Sequence, residues 1–238
     1  MNDSSFPMSG EDRVGGFAPG ELLPSAFERV APDIVRSLRM LSGLSATVSD
    51  VLDEQGWQLV VERDRLPLRT PIKGPVIGQA ITLAYLPARR SILDPQQRSS
   101  PAKLAHATAL ATGRPGDVLV IDARGARGIS ALGALGASAA LGAGFAGCIV
   151  DGGVRDLDDV ERLGFAVWSR WVTPRTGKWR IEAQSINSAV SVGGVQVVPG
   201  DLVVADETGV CFVPYEAIER VIPRVIEVAE QERQQLRG

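Results

Sequence analysis

The sequence predicts an α/β fold with a parallel crossover sheet, an antiparallel β layer and flanking helices. Three observations carry this. Over residues 101–172 helical and strand patterns alternate, as crossover units of a parallel sheet require. Within that stretch Asp117-Val118-Leu119-Val120-Ile121-Asp122 is almost entirely apolar between its acids, the pattern of a strand covered on both faces. After Pro174 the pattern changes to short β-rich runs separated by Gly-Gly, Pro-Gly-Asp and Glu-Thr-Gly turns, which marks antiparallel pairing.

Residues 1–24 are rich in Gly, Pro, Ser and acidic residues without periodicity, and read as a mobile arm. The remainder, 25–238, reads as one α/β domain. Helical patterning covers 25–41, interrupted at Pro32. Ser45 or Thr47 suits an N-cap, with Val48, Val51 and Leu52 on one face of the helix that follows. A strand is predicted at 77–86, then a helix at 101–112 with Leu104 and Leu110 inward and Gly113 closing it. Strands at 117–122, 145–150 and 165–172 alternate with helices at 132–142 and 157–163. Short strands follow at 189–192, 195–198, 202–205 and 211–213. A last helix from Tyr215 to about Gln234 presents Ile218, Val221, Ile222, Val225, Ile226 and Val228, with a kink expected at Pro223.

Composition narrows the function. The 238 residues suffice for one sizeable core or two small ones. The net charge of −3 comes without a basic stripe, and aromatic residues make up only 5%, which argues against nucleic acid and anionic membranes as partners. Cys148 and Cys211 each sit in an apolar run and read as buried free thiols rather than a disulfide. With His106 as the single histidine and no CxxC, a His/Cys zinc site is excluded; any metal must be held by oxygen, which points to Mg²⁺ or Mn²⁺. No charged-then-apolar leader opens the sequence, and Gly144 and Gly147 break its longest small, apolar run. A soluble cytoplasmic protein is therefore expected.

The segment Asp151-Gly152-Gly153-Val154-Arg155-Asp156 carries the chemistry. The carboxyl ends of parallel strands open onto ligand crevices. Gly152 and Gly153 would leave backbone bare for a small ligand. Arg155 offers a planar fork for a carboxylate, and Asp156 a hard oxygen donor beside it. That pairing suits a 2-oxo acid. The plain alternative is that Asp156 only caps the next helix, and local sequence alone favours it. Against this, Gly133-Ala134-Leu135-Gly136-Ala137 begins a helix whose free N–H groups can bind an anion, and it follows a neighbouring parallel strand. Small residues there would equally serve close helix packing.

The motifs Gly116-Asp117-Val118-Leu119-Val120-Ile121-Asp122, then Asp151-Gly152-Gly153-Val154-Arg155-Asp156, Gly193-Gly194-Val195, Pro199-Gly200-Asp201 and Ala205-Asp206-Glu207-Thr208-Gly209, in this order, resemble the RraA-like family. They also resemble its aldolase branch, the 4-hydroxy-4-methyl-2-oxoglutarate and 4-carboxy-4-hydroxy-2-oxoadipate aldolases, over roughly residues 45–214. The resemblance implies a swivelling β/β/α-type sandwich and trimeric or hexameric rings with sites between subunits. It further implies Mg²⁺- or Mn²⁺-dependent cleavage to pyruvate, often with oxaloacetate decarboxylation. It assigns Arg155 to the pyruvoyl group, Asp156 to the metal, and the backbone of Gly133, Ala134, Leu135 and Gly136 to the ligand carboxylate. One position departs from the pattern: the aldolases carry an Asp or Glu, which orients water for proton transfer, where this chain has Ala134. Members that regulate a ribonuclease often lose the metal Asp, whereas Asp156 is kept. A lyase acting through pyruvate enolate is the first reading, and a non-catalytic regulatory or binding protein the second.

Other polar residues have plainer expectations. Asp117 reads as turn capping; Asp122 has a weak claim on the crevice. Arg124 and Arg127 could meet a distal substrate carboxylate, though solvated arginines are the simpler reading. Arg175, Lys178, Trp179 and Arg180 read as a lid, a subunit contact or a solvated loop. His106 reads as structural, and Asp206 and Glu207 as turn residues. Glu227 and Glu230 read as solvent-facing, with reach to a neighbouring subunit as the alternative.

Overall fold

The computed structural model of the protein describes residues 27–99 and 102–235; the expected arm at 1–24 lies outside the described residues. Strand β1 (Val60–Glu62) is followed by β2 (Val76–Pro87), which organises the fold. The first part of β2 pairs antiparallel with a late strand, Val76 opposite Ala205 and Gln79 opposite Leu202. From Ala80 to Ala84 it pairs parallel with β3 (Val118–Asp122). The first ten residues of β2 are buried, as expected of a strand covered on both faces. Where it changes partners, a Cβ on Gly78 would lie 2.0 Å from the Gly116 carbonyl oxygen, so only glycine fits.

Beyond β3 the parallel sheet continues. Strand β4 (Ser130–Leu132) and β5 (Gly147–Val154) follow, then β6 (Ala166–Val172). Strand β5 pairs with β3 over Gly147–Asp151, with β4 at Gly153 and Val154, and with β6 in register from Gly147 opposite Ala166. Strand β7 (Ile181–Ile186) adds antiparallel to the far end of β2. A hairpin of β8 (Val190–Val192) and β9 (Val195–Val197) stands apart, while β10 (Leu202–Ala205) and β11 (Gly209–Val213) pair with each other, with β2 and with β1. The antiparallel strands expected after Pro174 are thus present, as a hairpin and a separate wing.

Side-chain parity divides the interior into three clusters. On the outer face of the wing, Leu202, Val204, Cys211 and Val213 pack on α1 (Pro32–Leu38), α2 (Leu44–Glu54) and α7 (Ile218–Gln235). Its inner face, with Val203, Ala205, Val210 and Phe212, meets the hairpin and Val118, Val120, Ile149 and Trp168 of the parallel sheet. The other face of that sheet, with Leu119, Ile121, Cys148, Val150 and Val167, packs on α4 (His106–Thr112), α5 (Ala134–Gly142) and α6 (Leu157–Arg162). Helices, antiparallel strands, parallel strands and helices form successive layers. Cys148 and Cys211, both free and buried, lie in different layers.

Several boundaries differ from the sequence reading for identifiable reasons. Pro32 begins α1 rather than interrupting a helix, since a first-turn proline loses no hydrogen bond. Neither Ser45 nor Thr47 is the N-cap of α2; Gly43 is, at φ 63°. The cap comes from a distant residue: Asp206 accepts from Ser45 N at 3.1 Å and Ser45 Oγ at 2.7 Å. The helix expected at 101–112 begins at His106, and Pro101 lies outside the described residues. Strands β1, β4 and β7 and the short helix α3 (Pro95–Ser99) were not expected. Helix α7 runs on through Pro223. Among the described residues no helix is long and apolar enough to cross a membrane.

Candidate active site

The end of β5 is tied to β4, because Arg155 N donates to Leu132 O at 3.1 Å. The next residue, Asp156, has φ 58° and ψ 38°, a left-handed conformation that costs a non-glycine residue on the order of 1 kcal/mol. It occupies the N-cap position of α6, yet its side chain makes no capping hydrogen bond there. Its Oδ2 instead accepts from Ala134 N at 3.2 Å, across at the first residue of α5. This carboxylate therefore does not cap its own helix; it takes a first-turn amide of α5, as Asp206 does for α2. Arg155 Nε lies 3.4 Å from the same oxygen, and the two side chains are 33% and 38% exposed, open to a ligand from solvent.

Gly133 completes the cluster as the N-cap of α5. A Cβ there would sit 2.7 Å from Asp156 Oδ2 and 3.1 Å from Arg155 Cγ and Nε. The absence of a side chain is what lets the helix start approach the Arg155–Asp156 pair. The α5 ladder begins with Ala137 N donating to Gly133 O at 3.0 Å. The amides of Leu135 and Gly136, in the first turn, have no acceptor within the helix and lie at its positive end. Leu135 can act here only through its backbone, because its side chain is 83% exposed. Gly133, Ala134, Arg155 and Asp156 thus converge, joining an anion-receptive helix start, a guanidinium and a carboxylate.

Gly152 and Gly153 have a different role from the one expected. Both are buried inside β5. A Cβ on Gly152 would lie 2.7 Å from Ala123 Cβ, and one on Gly153 2.4 Å from the Ile129 carbonyl oxygen. They admit the 123–129 loop against the strand, not a ligand.

Asp151 was missed as a separate group. It is 5% exposed, and its Oδ1 lies 2.9 Å from Arg170 Nε while its Oδ2 accepts from Gly193 N at 2.9 Å. Burial pushes its carboxyl above the usual range, the Gly193 N–H and Arg170 draw it down, and Asp122 opposes them. Asp122, its register partner on β3, accepts from Ser191 N at 3.2 Å and Arg124 N at 2.7 Å. These two carboxylates anchor the β8–β9 hairpin, so Asp122 does not reach toward Arg155. Strand parity was the available signal: Asp151 shares the face of Ile149, which lines the inter-sheet cluster.

Arg124 donates to Gln184 Oε1 at 2.9 Å, and Arg127 stacks over the Trp171 ring at 5.1 Å. Neither contact involves Arg155 or Asp156. In the expected basic loop, Arg175 O accepts from Ser130 N at 2.9 Å, and a Cβ on Gly177 would meet the Ser130 carbonyl oxygen at 2.4 Å, so the loop packs on β4. His106 Nε2 lies 2.6 Å from Ala131 O, a carbonyl to which it must donate, and burial lowers its pKa. Asp206 caps its own turn through Thr208 N at 2.8 Å as well as capping α2. Glu227 pairs with Arg224 at 3.0 Å on the surface of α7.

Among the described residues no three His, Cys, Asp or Glu side chains gather as a metal cage. The donor set nevertheless fits Mg²⁺, which is commonly held by one or two carboxylates with water and substrate oxygens completing its shell. Asp156 is the carboxylate available there for such a role.

Comparison with known proteins gives a consistent picture. The profile of the RraA-like family, described as Aldolase/RraA, matches residues 45–212. A Halalkalibacterium halodurans protein named "Putative 4-hydroxy-4-methyl-2-oxoglutarate aldolase" is 38% identical over 54% of this chain and 60% of its own. One of the same name from Albidiferax ferrireducens is 40% identical over 41% of this chain and 56% of its own. The matched stretches thus cover little more than half of these curated relatives. The crystal structure of Streptomyces coelicolor RraAS2, described as an unusual member of the RNase ES inhibitor RraA protein family, is 30% identical. It superposes with a TM-score of 0.73 over 88% of this chain and 98% of its own.

Proposed function

The chain belongs to the RraA-like family, and on that premise we propose that it is a carbon–carbon lyase acting on 2-oxo acids through a pyruvate enolate. The observation that carries this reading is the convergence of Arg155, Asp156 and the α5 start at Gly133. A 2-oxo acid presents a carboxylate next to a carbonyl. The carboxylate matches the first-turn amides of α5 at Leu135 and Gly136. In this reading the Arg155 guanidinium meets the carbonyl oxygen, where negative charge grows as a bond to C3 breaks, and it stabilises that charge most in the transition state. Asp156 would hold Mg²⁺ or Mn²⁺, which when bound supplies Lewis-acid polarisation of the 2-oxo group. In this reading the Ala134 N–H keeps the Asp156 carboxylate turned toward the substrate.

Two reactions share that enolate, and Ala134 separates them. Retro-aldol cleavage must remove the proton of the 4-hydroxyl, a task for which a positioned base typically contributes about 10²–10⁴-fold. Oxaloacetate decarboxylation needs no such base, because its leaving carboxylate is already ionised. The proposal is therefore metal-dependent oxaloacetate decarboxylation exceeding aldol cleavage. Purified protein with Mg²⁺ or Mn²⁺ is expected to turn over oxaloacetate faster than 4-hydroxy-4-methyl-2-oxoglutarate. The reverse order would mean that another group supplies the base. A non-catalytic regulatory role is the second reading, favoured by Ala134 and by the likeness to RraAS2; turnover of neither substrate would support it.

A further inference from the structure

At the opposite end of the parallel strands lies a second concavity, of about 480 Å³, between α1 and the starts of β2 and β3. Arg29, Arg36, Arg39 and Arg114 all line it, with Asp117 as the lone carboxylate among its lining residues. The frame is fixed. Asp117 is 4% exposed; its Oδ1 takes the Arg29 guanidinium at 2.5 Å and its Oδ2 the Arg114 amide at 2.7 Å. Buried Gln79 holds the segment that carries Arg29, accepting from Val30 N at 3.0 Å and donating to Glu28 O at 3.0 Å. Asp117 offsets Arg29. No ion pair joins Arg36, Arg39 or Arg114 to a carboxylate among the described residues.

Four arginines against one carboxylate give the lining residues a surplus of three positive charges, in a protein whose net charge is −3. A concave wall focuses that local field, and its strength runs against the sign of the whole molecule. Guanidinium forks match phosphate oxygens in geometry as well as charge. Val35 and Pro115 supply apolar wall beside the arginines. The volume falls in the range of small-molecule sites.

We propose that this pocket binds a small organic anion carrying two or more linked phosphates, the phosphates on Arg36, Arg39 and Arg114 and the organic part on the apolar wall. The pocket is separate from the Arg155–Asp156 site, which follows the carboxyl end of β5 rather than the amino ends of β2 and β3.

Titration calorimetry on the full chain, with ADP and with inorganic pyrophosphate as probes, tests the proposal. Both are expected to bind in low salt, ADP more tightly, with affinity falling as salt rises. The double variant R36E/R114E, whose altered side chains are exposed and whose Arg29–Asp117 pair is intact, is expected to weaken both by about tenfold or more. Its melting temperature in the absence of probe should match the wild type, which separates lost binding from lost folding. Absence of ADP and pyrophosphate binding at millimolar concentration, or equal binding by the variant, would overturn the proposal. Because the measurement is of binding alone, it stands whether or not the lyase reading does.

Discussion

The left-handed backbone of Asp156 directs its carboxylate away from its own helix, toward Ala134. An N-cap aspartate in extended conformation would satisfy the amides of α6 and leave the Arg155 crevice without an acid. The backbone cost is thus tied to the placement of one carboxylate, the pattern found where strain serves a site. At the same scale, Arg155→Lys is expected to lower kcat/KM for oxaloacetate at least about 10²-fold with unchanged folding, since an ammonium cannot form the planar fork. Near-native kcat/KM in that variant would remove Arg155 from the assignment. Ala134→Asp is expected to raise aldol cleavage selectively relative to decarboxylation. An equal change in both rates would mean that position 134 does not supply proton transfer.

At the scale of elements, the short strand β4 shows what was and was not legible in the sequence. Its last residue precedes a run of Gly and Ala, so Leu132 reads as the start of a helix, while in the fold Leu132 ends β4 and α5 begins at Ala134. Three residues are too few to express a period of two. Strands β3, β5 and β6 and helices α5, α6 and α7 were legible because each carries an apolar run or face long enough to have a period. The site was legible where chemistry is local, as in the Arg155–Asp156 pair. The contact of Asp156 with Ala134, the packing role of Gly152 and Gly153, and the Asp151–Gly193 anchor depend on pairing between distant segments, which no local window contains.

Asp201 belongs to this scale too. It joins the turn before β10 to the chain entering α7, accepting from Val198 N at 2.7 Å and Tyr215 N at 2.9 Å. Burial lifts its carboxyl from 3.8 to about 6. The folded form therefore holds a proton that the unfolded chain releases. The stability from this group is fully present below about pH 4 and is lost as pH rises through about 6, a contribution of roughly 2–3 kcal/mol. In Asp201→Asn, chemical denaturation between pH 4 and 6 should lose that downward component. An unchanged slope would contradict the assignment.

For the whole molecule, layering places the candidate site and the arginine pocket at opposite ends of the parallel strands, each built on strand ends that the inter-sheet core holds in register. Helix α5, which starts the candidate site, carries no charged residue and exposes Leu135 at 83% and Leu141 at 40%. We propose that another copy of the chain covers this face in a trimer or hexamer. Light scattering at micromolar concentration should return three or six times the 25.2 kDa chain mass, and a monomer or dimer mass would refute the assembly. The central claim rests on Asp156, and its most direct test is oxaloacetate decarboxylation by the wild type and Asp156→Ala, each with Mg²⁺ and with chelator. The expected result is activity in the wild type that chelator abolishes, and a loss of at least about 10²-fold in a variant that melts like the wild type. Chelator-resistant activity in the wild type, or a variant that retains wild-type turnover, would contradict it.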